Sequence, residues 1–254
     1  MTLLNHFIPV FTPILILILI EILLQKPRQI YWLVPFACFL IILSLFQLTG
    51  KKIKNEKFWR YLITPILFFL SGTTFFVFLD GIYFRQGVAI ALVIALAVYL
   101  EVIFLWFCER LKYQAHSLEN ISVHLNLVTI FLTASSLVGL VIFIGLPLWL
   151  MIIIFVFFVT LLNYELIWSS GVAPKLGWLY SLVITLAMTE IFWAVNFLPT
   201  SVYVDGLIIS LSYYLITGLA RNWLIGVKEK KVIKRYLFVS LICLLIVFLT
   251  AKWF

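Results

Sequence analysis

The sequence predicts an all-α fold, a polytopic transmembrane helical bundle, and three observations lead to that prediction. Hydrophobic residues make up 65% of the 254-residue chain and charged residues only 11%. Soluble domains contain about 45–50% apolar residues and about 25% charged residues. The mean hydropathy is +1.20. The apolar residues form long runs separated by short polar breaks, and a bilayer accounts for such runs better than a globular core does.

Nine apolar runs define the predicted helices, and each is about long enough to cross a hydrocarbon core ~30 Å thick. The division between the fifth and sixth runs is the least marked, because only Gly145, Leu146 and Pro147 intervene. A re-entrant pair at that point would lower the count to eight or seven. We predict the runs to span residues 7–24, 31–49, 59–79, 88–108, 121–144, 147–168, 176–198, 203–224 and 236–254.

The chain is predicted to form a single integral membrane domain over residues 1–254, with a parallel internal repeat of helices 3–5 and 7–9. Residues 61–79 align with residues 180–198, and the candidate repeat units are 59–144 and 176–254. Parallel repeats occur in some transporters. The alternative is chance similarity between helices that are both rich in Phe and Leu.

The formal net charge is +8. The positions of the basic residues, between the apolar runs, indicate a membrane topology rather than a nucleic-acid partner. With a cytoplasmic N-terminus, 14 of the 18 Lys and Arg residues fall in cytoplasmic segments and 4 outside, as the positive-inside rule requires. We therefore expect a cell inner (cytoplasmic) membrane protein with its N-terminus in the cytoplasm and its C-terminus outside. The basic runs 51–60 and 228–235 are predicted to set this topology; pairing with a cytoplasmic partner or a lipid phosphate is the alternative.

No cofactor or metal is expected. The cysteines and histidines show no ligand spacing: Cys38, Cys108, Cys243, His6, His116 and His124. Nucleotide-binding and protease motifs are also missing, which argues against an enzyme. The expected partners are the lipid bilayer and either another membrane protein or a second copy of the chain.

Glu190 is the first candidate site residue, because it interrupts the apolar stretch "TLAMTEIFWAVNFLP" (185–199). An ionised acid at mid-membrane costs at least ~2.5 kcal/mol on insertion scales, so we expect its side chain to face the bundle. Trp193 and Asn196 follow Glu190 in helix 7, and Tyr213 and Tyr214 lie at a similar depth in helix 8. These residues are the candidates for a binding site or proton relay. Structural hydrogen bonding between helices is the alternative.

Glu101 is the second candidate, within "AVYLEVIFLWF" (97–107). If the repeat is real, helix 4 corresponds to helix 8, and Glu101 would lie near the polar stripe of Tyr213 and Tyr214. Two carboxylates that share a cavity have coupled pKa values suited to proton transfer. By contrast, Glu165 and its neighbour Asn163 lie near a helix end, where we expect water to reach them.

The stretch "TEIFWAVNFLPTSVYVDGLI", followed by "YYLITGLARNWL" and a basic loop, resembles uncharacterised small multi-pass inner-membrane proteins of bacteria, many from candidate-phylum genomes. The resemblance covers roughly residues 176–250. It implies a bacterial inner membrane and no activity, and no site residue is carried over from it.

Three function classes follow. A transporter or permease for a small solute or proton accounts for mid-membrane acids, and a structural or assembly subunit of a membrane complex accounts for short loops and abundant aromatic residues. An intramembrane enzyme acting on a lipid or isoprenoid could use Glu190 or Glu101 as a general acid. A transporter needs a cavity that reaches Glu190, whereas an assembly subunit does not.

Overall fold

The computed structural model describes residues 2–50, 56–108, 113, 117–169, 174–224, 226 and 230–250. Within these residues the chain forms α-helices and two short 3₁₀ turns, and no strand. The helices are α1 (Thr2–Gln25), α2 (Ile30–Leu48), α3 (Glu56–Phe75), α4 (Ile82–Cys108), α5 (Ser117–Ile144), α6 (Leu148–Ser169), α7 (Pro174–Val195), α8 (Val202–Leu224) and α9 (Lys230–Thr250). The predicted all-α fold is confirmed, and each predicted run corresponds to one helix.

The break between α5 and α6 is a true loop, although only three residues form it. Gly145 adopts a φ of 74°, a left-handed conformation that favours glycine and commonly ends a helix. Its N–H donates to the Val141 carbonyl at 3.2 Å, and the Leu146 N–H donates to the Leu140 carbonyl at 3.2 Å. Pro147 then starts α6 by accepting from the Leu150 N–H at 3.0 Å. The fifth and sixth runs are therefore separate helices.

Eight of the described helices, α1 to α8, contain a segment long and apolar enough to cross a membrane. Their outward faces carry large apolar and aromatic side chains such as Trp32, 82% exposed, and Tyr83, 89% exposed. A soluble protein rarely exposes contiguous apolar surface of this kind, whereas acyl chains solvate it. The chain is a multi-pass integral membrane protein.

The chain divides into two compact units, Met1–Leu125 and Asn126–Phe254, and the boundary falls inside α5. In the first unit α1 packs on α2 and α4, while α3 packs on α2 and α4. Buried polar contacts join these helices. Thr12 Oγ1 and Ser44 Oγ are hydrogen-bonded at 2.7 Å, and the Tyr99 hydroxyl donates to the Tyr61 carbonyl at 2.9 Å. Such interhelical bonds hold helices together where hydrophobic burial against lipid offers little.

In the second unit α7 packs between α6 and α8, and α9 packs on α8. Glycines allow two of the close approaches. Gly206 of α8 lies directly against the Ser135 hydroxyl and the Phe131 carbonyl of α5, and Gly218 of α8 lies against the Tyr236 ring of α9. Small residues at a helix interface let two backbones approach closely, which maximises packing in lipid.

Part of the predicted topology falls on residues that the structure does not describe. The repeat units 59–144 and 176–254 and the orientation of the termini stay predictions. The basic residues outside the described side chains are Lys51, Lys52, Lys54, Lys57, Arg110, Lys112, Lys175, Lys228 and Lys252.

Replacing Gly206 with Val is expected to destabilise the second unit by about 1–3 kcal/mol, because the new side chain overfills a packed interface. The Phe131 carbonyl would lie only 3.1 Å from the added Cβ. Thermal unfolding of the purified protein in detergent would measure the loss. Gly87→Val is the matched control, since Gly87 is a helical glycine with nothing within 4 Å of its Cβ position; equal losses in both variants would contradict the prediction.

Candidate functional site

Glu190 lies on the outer face of α7, so the expectation that it faces the bundle is wrong. The buried side chains of α7 lie along one face of the helix: Ser181, Ile184, Thr185, Met188, Phe192 and Val195. Glu190 follows Met188 by two residues, about 200° around the helix, and its side chain is exposed. This mostly apolar stripe forms the face that packs against α6 and α8.

Glu101 shows the same arrangement in the first unit. The buried face of α4 consists of Ala89, Leu92, Val93, Leu96, Tyr99, Leu100, Ile103 and Phe104. Glu101 lies with Ile94 and Val98 on the opposite, exposed face. The expectation that Glu101 is buried is therefore also wrong, while its proximity to Tyr213 and Tyr214 stays a prediction.

The other four candidates divide between the surface and the interior of the second unit. Trp193 is 54% exposed, and Asn196 is half-buried and donates to the Phe192 carbonyl at 2.7 Å. Tyr214 is half-buried, with its ring 5.2 Å from that of Tyr236, while Tyr213 is buried at 2% exposure. None of the described hydrogen bonds joins Glu190 to either tyrosine. The binding role of these residues stays a prediction.

The carboxylate that the structure does bury is Glu165 of α6. Its side chain is 4% exposed, and its Oε2 accepts a hydrogen bond from Asn126 Nδ2 of α5 at 2.8 Å, where Asn126 is itself fully buried. The Tyr213 hydroxyl of α8 lies within electrostatic range of the carboxylate. Glu165 and Asn126 thus form a buried polar pair between α6 and α5, and the expectation that water reaches Glu165 is wrong.

A second polar group lies between α6 and α7. Asn163 is fully buried, and its Nδ2 donates to Thr185 Oγ1 at 3.2 Å. The Thr160 hydroxyl donates to the same oxygen at 3.5 Å. Ser181, one turn before Thr185, is also buried. Asn163 therefore ties two helices together and is not the solvated helix end that its position in the sequence suggests.

Several buried polar atoms in these two groups have no hydrogen-bond partner among the described residues: the Tyr213 hydroxyl, Asn163 Oδ1 and Ser181 Oγ. An orphaned polar atom in a low-dielectric interior costs about 1–3 kcal/mol, so native proteins usually supply a water or a ligand for it. A carboxylate, a hydroxyl and amide oxygens together can bind water or transfer a proton. The described residues contain no group of three or more His, Cys, Asp or Glu side chains that could hold a metal ion.

One sequence signal could have located this interior. Polar and small residues recur along α5 at alternating spacings of four and three, and all of them are buried: Ser122, Asn126, Thr129, Thr133 and Ser136. This is the a/d spacing of a helix seam. A polar seam on an apolar helix predicts a buried face with polar partners, and Glu165 is one of those partners.

Replacing Asn126 with Ala is expected to lower the free energy of unfolding by about 1–3 kcal/mol, because the buried Glu165 loses a donor. Denaturation of the purified protein in detergent would measure the change. Asn120→Ala is the control on the same helix, because Asn120 is exposed and should shift stability by less than about 0.5 kcal/mol. Equal shifts would show that the bond to Glu165 contributes nothing measurable.

Comparison with known proteins gives one family and no function. The match covers residues 40–250 and is to a family described as a protein of unknown function (DUF5656). No curated protein matches, and neither does any solved structure. The predicted resemblance to an uncharacterised family is confirmed, while its bacterial inner-membrane setting stays a prediction. Since the match spans most of the 254 residues, the chain belongs to the DUF5656 family.

Proposed function

We propose that this protein is an assembly subunit of a complex in the bacterial inner membrane, and that the outer face of α7 binds a transmembrane helix of a different protein. The observation that carries the proposal is the exposed Glu190 side chain within an apolar membrane span. The neighbouring exposed residues on this face, Leu186 and Trp193, would supply the apolar contact around the acid.

The depth of Glu190 in the membrane indicates that its carboxyl group needs a protein partner. The apolar span of α7 runs from Gly177 to Val195, so its centre is residue 186 and Glu190 lies four residues beyond. At ~1.5 Å per residue this is about 6 Å from the centre, well inside a hydrocarbon core whose half-thickness is about 15 Å. Acyl chains cannot hydrogen-bond a carboxyl group, so a protein partner lowers the free energy of this face.

A basic side chain is the partner group that best complements Glu190. A second copy of the chain would bring one acid against another across a symmetric interface, and like charges disfavour that contact. The described exposed cations cannot serve instead, because they lie at or next to helix ends: Lys26, Arg28, Lys230, Lys231, Lys234 and Arg235. We therefore infer a different protein with a Lys or Arg within its own membrane span.

The orientation of the subunit follows from the charge distribution. We infer a cytoplasmic N-terminus and, with the nine crossings that the apolar runs of the sequence predict, an outside C-terminus, because 14 of the 18 basic residues then face the cytoplasm. In that orientation the end of α7 that carries Glu190 lies in the outer half of the bilayer, so the basic group of the partner belongs in the same half.

Replacing Glu190 with Gln is expected to abolish the complex, because the amide keeps the shape but not the charge. A photo-crosslinking amino acid at Leu186 would report the contact in native membranes as an adduct with one partner chain. Replacing the partner's basic residue with Gln should abolish the same adduct, and exchanging the two charges should restore it.

Glu21→Gln is the control, because Glu21 is an acid that already accepts a hydrogen bond from Gln86 at 3.0 Å within the first unit. This variant should keep the adduct. An adduct that survives Glu190→Gln, or one that contains only a second copy of this chain, would overturn the proposal.

A secondary transporter of protons or a small polar solute is the second candidate function. The observation that favours it is the interior of the second unit, where Glu165 and Asn126 form a buried hydrogen-bonded pair and the Tyr213 side chain of α8 is also buried. Buried acids inside membrane helices are typical of proton pathways and substrate sites. In this function Glu165, rather than Glu190, is the group that would gain and lose the proton.

Replacing Tyr213 with Phe distinguishes a proton-relay role of the hydroxyl from a packing role of the ring. The Tyr213 hydroxyl has no hydrogen-bond partner among the described residues, so its loss should not lower thermal stability, whereas proton flux should fall at least about tenfold if the hydroxyl relays protons. Flux would be measured in proteoliposomes with an imposed potential and a pH-sensitive dye. Tyr214→Phe, the adjacent half-buried tyrosine, should keep the flux; identical flux in both variants, or none above protein-free vesicles, would exclude the proton route.

A further inference from the structure

The first turns of α9 combine three cations with an open apolar groove. The groove has a volume of about 770 Å³ and is lined by Lys231, Lys234, Arg235, Leu237, Phe238 and Leu241. All six of these side chains are exposed. The three cations occupy positions i, i+3 and i+4, so they lie on one face of the helix, next to the apolar residues one turn further along.

A second groove of about 510 Å³ continues along α9 from the first. It shares Leu237 and Leu241 with the first groove, and its other lining residues are Leu215 of α8 and Ser240, Leu244, Leu245, Phe248 and Leu249 of α9. Its lining is apolar apart from Ser240. The two grooves together form one trough, basic at one end and apolar along the rest.

Most of the trough matches the length of one phospholipid. Lys231 and Leu245, which lines the second groove, are 14 residues apart in α9, which is about 21 Å along a helix that rises ~1.5 Å per residue. One leaflet with its headgroups is about 20–22 Å thick, half of the full bilayer. Contact between Gly218 and the Tyr236 ring holds α9 against α8, so the wall that includes Leu215 is fixed in place.

We propose that this trough is a binding site for an anionic phospholipid. Lys231, Lys234 and Arg235 bind the headgroup phosphate, and one acyl chain lies along Phe238, Leu241 and the leucines beyond. Arginine binds phosphate with paired N–H donors and lysine binds it as a point charge, and basic pockets beside transmembrane helices are typical sites for anionic headgroups.

The alternative occupants fit the trough less well. Inorganic phosphate would use the three cations and leave the apolar part uncovered. A second helix packed along the trough would cover the leucines but would bring no charge to the three clustered cations unless it carried acids at that end. A phospholipid with a negative headgroup satisfies both parts with one molecule.

The test uses the full-length protein and counts bound lipid by native mass spectrometry after release from nanodiscs. In nanodiscs of equal parts phosphatidylglycerol and phosphatidylcholine, the wild type should retain phosphatidylglycerol at least tenfold more often. The triple variant Lys231→Gln, Lys234→Gln, Arg235→Gln should lose this preference. Lys230→Gln, which removes an exposed cation that does not line the trough, should keep it.

A second variant separates lipid binding from simple charge attraction. Leu241→Trp fills the apolar part and leaves all three cations in place, so it should lower phosphatidylglycerol retention while the thermal unfolding temperature in phosphatidylcholine stays the same. Equal retention of both lipids by the wild type would overturn the proposal. So would full retention by the triple variant or by Leu241→Trp, displacement of the lipid by millimolar inorganic phosphate, or a trough occupied by a second copy or another protein.

Discussion

The absence of water inside a bilayer is the constraint on which this structure depends. A polar side chain within a helix must find a partner on its own helix, on a neighbouring helix or on another molecule. The α5 seam shows the first two solutions: the Thr133 hydroxyl donates back to the Thr129 carbonyl at 2.7 Å, and Asn126 donates across to Glu165. These small polar side chains also allow close helix approach, so the same residues direct both packing and hydrogen bonding.

The acids of the second unit meet this constraint in opposite ways, and that contrast separates the candidate functions. Glu165 is held inside the unit by Asn126, whereas Glu190 points outward from α7. An interior acid suits proton or solute handling within one chain. An outward acid needs a partner group, and none of the described hydrogen bonds of the second unit supplies one to Glu190, which is why its exposure supports an assembly role.

The sequence predicts the helices well and their orientations poorly, and the reason is physical. Hydropathy and length determine where a helix crosses a bilayer, so the sequence predicts even the three-residue break at Gly145. The free-energy cost of Glu190 in lipid predicts that the acid must be covered, but not whether its own chain or another covers it. The shape of the side chains determines which face of a helix packs against its neighbours. In α7 this face is the buried stripe from Ser181 to Val195. The sequence does not indicate the burial of Glu165, because a residue near a helix end can face either water or a neighbouring helix.

Both proposed binding surfaces of the second unit face away from its own interior. The α7 face presents one negative charge among apolar side chains, and the α9 trough presents three positive charges above apolar side chains. Each therefore selects a partner by charge and holds it by apolar contact, the α7 face a basic transmembrane helix and the α9 trough an anionic lipid. Because the two surfaces differ in sign, neither partner can replace the other, and removing the charge from one surface should leave binding at the other intact.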